Sequence, residues 1–399
     1  MEQIIIEKDI ISPADLLPSA FQGDVKSIKK IYLDKQHELG FTNRQIQKLL
    51  SMEPKTLNAI LDGKAKRINF LSVIKLANFL NINLSDIAKS YLSTLNSIEV
   101  SEMQNARDFA YIQEHFNVKA LQHCHFFKRG DDIPKMRDRI MTFFGLESLY
   151  EYTNAGISTA FSRINRKTNN DLMREFWVTS AYDRFLKISN PNDYNRDALL
   201  KLIPKIRPYT MDINNGFKTV MRALFQVGVT VLYQPSLEGV QVRGATMIIN
   251  NKPCIVICDI YKRYPTIWFS LLHELHHVLF DYDMIKSEAY HISDGEGDLL
   301  LTNEVQADDF ASVYLLNESR LEFARRYINS PVMLSKFARQ CGVHPSIIYA
   351  RHCYETKEWP LYNKFIPKSD EALVRVNVNP FAKETLAESM KDIKELYKI

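Results

Sequence analysis

The chain is short of cysteine, of long apolar runs and of excess charge of one sign, and each shortage removes a class of protein. Five cysteines occur in 399 residues, Cys124, Cys254, Cys258, Cys341 and Cys353, none in C-x-x-C spacing. An odd, scattered set of this kind fits a reducing compartment without a disulfide framework. No stretch of about 18 apolar residues is present, and Met1-Glu2-Gln3 opens neither a charged n-region nor an apolar h-region. A soluble, cytoplasmic protein with no membrane partner is therefore expected. Internal repeats and low-complexity tracts are absent too. His123-Cys124-His125 puts two imidazoles beside a thiol, but reads as a structurally satisfied group rather than a ligand cluster.

With 46% hydrophobic and 25% charged residues, the chain can bury a real core and divides into two or three domains. Its net charge of +4 hides an asymmetry. Residues 25–91 hold twelve Lys/Arg against five Asp/Glu, a local +7, which leaves −3 for the remainder. A basic module on a mildly acidic body makes nucleic acid the first partner to consider.

The basic module reads as a bundle of short helices. Thr42 is an N-cap for a helix with apolar residues at Ile46, Leu49 and Leu50, Ser51-Met52-Glu53 makes a turn, and Pro54 opens a second helix that Asp62-Gly63 ends. Residues 70–82 supply a further amphipathic helix. Two helices joined this tightly form a helix-turn-helix, and the module resembles the Xre-type repressor domain. That resemblance implies that the second helix enters the major groove of DNA with its early polar residues on base edges. Lys55, Thr56 and Asn58 are then the base-reading candidates, and Arg44, Lys64, Lys66 and Arg67 the phosphate-binding ones, against a basic face that is merely solvated or a unit turned to protein contacts.

Far downstream lies His273-Glu274-Leu275-His276-His277. Positions i and i+4 of a helix lie one above the other, so His273 and His277 can reach one metal ion with Glu274 toward its open side, the H-E-x-x-H zinc-hydrolase pattern. His273 and His276 are also near neighbours, although the i, i+4 spacing favours His277. Apolar residues on both sides, Ile267 to Leu272 and Val278 to Phe280, make this a buried helix whose polar groups need partners. A second helix begins at Glu304 and sets Glu304, Asp308, Ala311 and Leu315 on one stripe, with small Ala307 and Ala311 allowing close approach. Catalytic zinc commonly takes two histidines and a glutamate, so Glu304 is the third ligand and Asp308 the acceptor for a ligand histidine's ring N–H.

Upstream of this helix, residues 229–233 read as β, and residues 245–249 and 254–258 flank Asn250-Asn251-Lys252-Pro253 as a hairpin. Residues 254–258 are either an edge strand that holds a peptide or a strand that simply roofs the core. Residues 244–316, with Ile267-Trp268-Phe269 before H-E-L-x-H and E-x-x-A-x-x-F-A at Glu304, Ala307, Phe310 and Ala311, resemble the ImmA/IrrE family of bacterial metallopeptidases. The resemblance extends over about residues 205–360. It departs in having His276 where the family has glycine, and in a long connection over residues 281–303.

The resemblance implies a mostly α fold with a small β-sheet (α+β), combining an N-terminal helix-turn-helix bundle with a zincin-like metallopeptidase domain. Five regions are expected: an N-terminal segment (1–24), the Xre-like domain (25–95), a helical middle (96–204), the metallopeptidase domain (205–364) and a helical tail (365–399). Residues 146–167 and 170–187 carry apolar groups at helical spacing and read as core, and the tail as a surface helix with a stripe of Leu386, Met390, Ile393 and Tyr397. Zinc on His273, His277 and Glu304 would lower the pKa of its water toward ~7, with Glu274 as general base. Tyr290 and His291 are candidate oxyanion stabilisers, against an ordinary loop. The function expected is a zinc endopeptidase that binds its own promoter or operator and cuts a repressor-like partner in a phage, mobile-element or stress response. Its rival is a DNA-binding antitoxin whose peptidase-like body binds a toxin without cutting. Monomer and homodimer remain open.

Overall fold

The computed structural model describes residues 27–64, 69–92, 97–154, 169–288, 290–294 and 304–398. It is mostly helical with one small sheet, an α+β chain, and among the described residues no helix is long and apolar enough to cross a membrane. Backbone contacts divide it into two compact units, residues 1–107 and 108–399.

In the first unit, helices α1 (Ile28–Leu39), α2 (Asn43–Leu50), α3 (Pro54–Leu61), α4 (Phe70–Leu80) and α5 (Leu84–Leu92) follow in order. Thr42 starts α2 with a capping box: its Oγ1 accepts from the Gln45 N–H at 3.4 Å while its own N–H donates to Gln45 Oε1 at 2.7 Å. Ser51 ends α2 in the left-handed region, and Pro54 starts α3 where a missing N–H costs nothing. Ile46, Leu50, Leu57, Ile60, Leu76 and Leu80 close the core, and Tyr32 donates to Asn43 Oδ1 at 2.9 Å. Arg44, Lys55, Asn58 and Lys64 are exposed and Thr56 is half-buried, whereas Lys66 and Arg67 lie outside the described residues.

The second unit is built on one continuous apolar core running from Ile112 to Tyr397. Its sheet has the order β1 (Thr230–Tyr233), β3 (Lys252–Ile257), β2 (Val242–Ile249), β4 (Tyr290–Asp294). β2 and β3 form the expected hairpin, turning through Asn250 and Asn251, both at positive φ, which asparagine tolerates better than most residues. The edge-strand expectation for residues 254–258 is corrected. β1 pairs parallel with β3 on one side and β2 antiparallel on the other, so β3 is an inner strand with no free backbone row. The reading of Tyr290 and His291 as loop is corrected as well: both belong to β4, antiparallel to β2.

Against the sheet lies α8 (Tyr264–Phe280), buried over most of its length, and against α8 lies α9 (Glu304–Leu316), with Ala307 and Ala311 fully buried. The middle and the tail share this core. Helix α6 (Asn169–Ile188) buries Phe176 and Trp177, while residues 155–168 lie outside the described residues. Helix α10 (Leu386–Tyr397) docks through its apolar stripe. The Tyr397 ring stacks on Phe225, in α7 (Gly216–Gln226), at 4.1 Å, and its hydroxyl donates to the Val231 carbonyl and accepts from the Val231 N–H at 3.1 Å. All five cysteines are free; His123 pairs with Glu238, and no metal-ligating group forms around Cys124 among the described residues.

Candidate metal centre

Three side chains able to hold a metal converge where α8 and α9 meet. His273 Nε2 and His277 Nε2 are 3.2 Å apart, His273 Nε2 is 3.3 Å from Glu304 Oε2, and His277 Nε2 is 3.2 Å from Glu304 Oε1. Helical spacing stacks the two rings on one face of α8, and the alanines of α9 bring Glu304 close enough to cap them.

The far side of each ring fixes its tautomer. His273 Nδ1 is 2.8 Å from Asp308 Oδ1, and His277 Nδ1 is 2.8 Å from Asp281 Oδ2. A carboxylate only accepts, so both Nδ1 atoms carry hydrogen, and in the neutral rings both Nε2 atoms present lone pairs to one another and to a carboxylate. Such a gathering of acceptors fits a cation. Ligands ~2.0–2.2 Å from a tetrahedral ion sit about 3.3–3.5 Å apart, which is close to the separations seen here. Two imidazoles and one carboxylate suit zinc or another first-row transition metal rather than calcium or magnesium, which take oxygen.

The electrostatics point the same way. Burial pushes both ring pKa values down, but Asp308 and Glu304 at His273, and Asp281 and Glu304 at His277, outweigh it and raise them above the ordinary value. Burial works against the charge of Glu304, yet His273, His277 and His291 hold its carboxyl far below the usual range. The raised ring values show that the surrounding carboxylates favour positive charge at the two histidines.

His276 faces elsewhere. Its ring packs on Phe280 at 4.7 Å and Phe310 at 5.5 Å, and burial together with His277 depresses its pKa to about 4. Its Nδ1 is 3.9 Å from Asp281 Oδ2, too long for a hydrogen bond. His276, His277 and Asp281 form a second group within ligand reach of one another, but there Asp281 Oδ2 is already the partner of His277 Nδ1.

Glu274 is fully buried and points at the sheet. Its Oε2 accepts from Thr246 Oγ1 at 2.6 Å, and its Oε1 has no hydrogen-bond partner. Only glycine fits opposite: a Cβ on Gly244 would stand 2.4 Å from Glu274 Oε1. His291 is buried, lies tilted against the His277 ring with centroids 4.2 Å apart, and donates through Nε2 to Glu304 Oε1 at 2.8 Å. It therefore grips the Glu304 carboxylate rather than standing apart in a loop. The side chain of Tyr290 lies outside the described residues.

The sequence reading missed Asp281 and Thr246. Asp281 stood one turn beyond His277, a legible i, i+4 signal; Thr246 sits on a strand and reaches Glu274 only through tertiary packing. Compared with known proteins, the chain matches no family model, no curated protein and no solved structure.

Asp281 and Asp308 can be weighed against each other. Asp281 is buried whereas Asp308 is 40% exposed, so water can take over more of its role. Asp281→Asn is expected to weaken zinc binding near the upper end, and Asp308→Asn near the lower end, of the roughly 10–100-fold range for such partners. Competition titration with a chromophoric chelator measures both.

Proposed function

We propose that the chain is a zinc-dependent endopeptidase carrying a DNA-binding helix-turn-helix unit, and that it cuts a repressor-like partner protein. The observation that carries this reading is the convergence of His273 Nε2, His277 Nε2 and Glu304, with both Nδ1 atoms held by carboxylates. The resemblance of residues 244–316 to the ImmA/IrrE metallopeptidases supports it.

His273, His277 and Glu304 would hold the zinc, which when bound supplies Lewis acidity toward a carbonyl and a water of lowered pKa. Asp308 and Asp281 keep both rings in the ligating tautomer, and His291 steadies Glu304. Glu274 is the general base: Thr246 holds one oxygen and leaves Oε1 to take a proton from water and deliver it to the leaving amine. Zinc analysis of the purified chain tests the centre, and a Glu274→Gln comparison tests the chemistry.

In the first unit, Lys55, Thr56 and Asn58 at the start of α3 are assigned to base edges, and Arg44, Lys64, Lys66 and Arg67 to phosphates. The full chain is expected to bind its own promoter with affinity that falls steeply with salt, and Lys55→Ala with Asn58→Ala to lose sequence preference more than non-specific affinity. Fluorescence anisotropy on promoter and scrambled duplexes at several salt concentrations reads both; salt-insensitive binding would reassign the unit to protein contacts.

One observation favours a second reading, a DNA-binding antitoxin whose body holds a toxin without cutting it. Glu274 has no exposed surface, and one of its oxygens is already engaged by Thr246.

A further inference from the structure

Beside the centre opens a cleft of about 540 Å³, well inside the roughly 300–1,000 Å³ span of ligand sites. One end lies at the centre, where Asp308 in its wall holds His273. The other lies at the start of α8, where Arg263 and Trp359 line it together. Arg263 stands ten residues before His273, so the two ends are about 15 Å apart along the helix. Four or five residues of extended peptide span that distance at roughly 3.3 Å each.

Charged groups of both signs line the cleft, and most of them are already matched. Asp308 is taken by His273. Glu355 pairs with Arg325 and, at 3.5 Å, with Arg351, which also reaches Glu318 at 3.4 Å. Arg243 has interactions of its own. There remain Asp309, exposed and next to Asp308 at the centre, and two cations at the far end, Arg263 and, two residues before Trp359, Lys357. Arg263 lies over the Trp359 ring, 3.9 Å from its centroid, and Lys357 is 4.8 Å from that of Tyr354 and donates to the Tyr354 carbonyl at 2.7 Å. Among the described residues neither has a carboxylate partner. A guanidinium held over an aromatic face keeps its N–H edge for a two-point bond to a carboxylate. An apolar side chain arriving there would leave both cations without a counter-charge, and a basic one would add a third. Asp309 repels an acid at the near end, so the position of the acid is set as well as its charge.

We propose that this cleft receives the substrate chain and that Arg263, steadied by Trp359 and assisted by Lys357, binds an acidic side chain about four residues from the cleaved bond. The inference rests on the metallopeptidase reading, and hydroxamate peptides separate the two because the hydroxamate seeks the metal while the peptide samples the cleft. Two series cover both chain directions: acetyl-Xaa-Ala-Ala-Ala hydroxamate, and a malonyl hydroxamate carried on Ala-Ala-Ala-Xaa amide, each with Glu, Gln or Lys as Xaa. Binding to the zinc-loaded full chain is measured by calorimetry, with acetohydroxamate reporting the centre itself. In one of the two series the Glu compound is expected to bind about tenfold tighter than the Gln compound, and the Lys compound more weakly than either. Arg263→Gln is expected to remove most of that preference without changing the affinity for acetohydroxamate. Absence of a Glu preference in both series, equal binding of the Glu and Lys compounds, or survival of the preference in Arg263→Gln overturns the subsite while the metal centre stands. A malonyl compound ending in Gln with a free carboxylate in place of the amide tests the other source of an acid; tight binding of that compound alone overturns the side-chain assignment. Failure of every hydroxamate to bind overturns the metal-centre reading and this subsite with it.

Discussion

Purified wild-type chain is expected to hold about one zinc, and His273→Ala, His277→Ala and Glu304→Ala are expected to hold almost none, while His276→Ala keeps its metal. Each of the first three removes a donor from a three-donor set, a larger loss than the roughly 10–100-fold produced by removing a ligand's hydrogen-bond partner. His276 lies against Phe280 and Phe310, and its loss leaves His273, His277 and Glu304 in place. The His277 variant needs one control. Removing its ring leaves Asp281 buried without its 2.8 Å partner, and breaking a buried pair on one side costs on the order of 3–5 kcal/mol. Thermal melts of every variant, with and without zinc, separate loss of metal from loss of fold. Retention of zinc by His277→Ala together with its loss in His276→Ala would transfer the ligand role to the neighbouring histidine.

Local signals carried much of this architecture into the sequence. The start of α2 was legible because Thr42 and Gln45 form a capping box within four residues, and that of α3 because proline is pre-set for a first turn. The β2–β3 turn was legible because Asn250 and Asn251 suit left-handed backbone. The pairing of His273 with Asp308 could be anticipated because both lie on helices with fixed periodicity, so spacing alone puts them on facing stripes.

What escaped the sequence was set by contacts between distant residues. β3 looks like an edge only while β1 is ignored, and their parallel pairing joins Thr230 to Cys254 across an intervening hairpin strand. His291 reads as loop because β4 is a short strand far along the chain from β2, with which it pairs. The tail's apolar stripe was visible, but its receptor, Phe225 and Val231, lies more than 160 residues earlier. Thr246 gives no signal at all: a threonine in a strand is ordinary, and only the packing of α8 on the sheet brings its hydroxyl to Glu274.

That contact bears on the second large effect. Glu274→Gln is expected to leave zinc content and partner binding at wild-type levels and to reduce cleavage of the partner by at least the roughly 10²–10⁴-fold that follows removal of a general base. Glutamine matches the shape and keeps a carbonyl oxygen for the Thr246 hydroxyl, but its amide cannot take a proton from water. The side chain is fully buried and Gly244 leaves room at Oε1, so near-isosteric replacement is the one change here that removes basicity without opening a void. Wild type and Glu274→Gln are compared in cells at matched protein levels, scoring the regulated phenotype and the length of the candidate partner. In a peptidase the partner stays whole and the phenotype is lost with the carboxylate; in an antitoxin that only grips its toxin, both versions behave alike. An uncut partner and equal phenotypes would sink the peptidase reading and leave a DNA-binding regulator that carries a hydrolase-like centre, with Thr246 holding a carboxylate that the chemistry no longer uses.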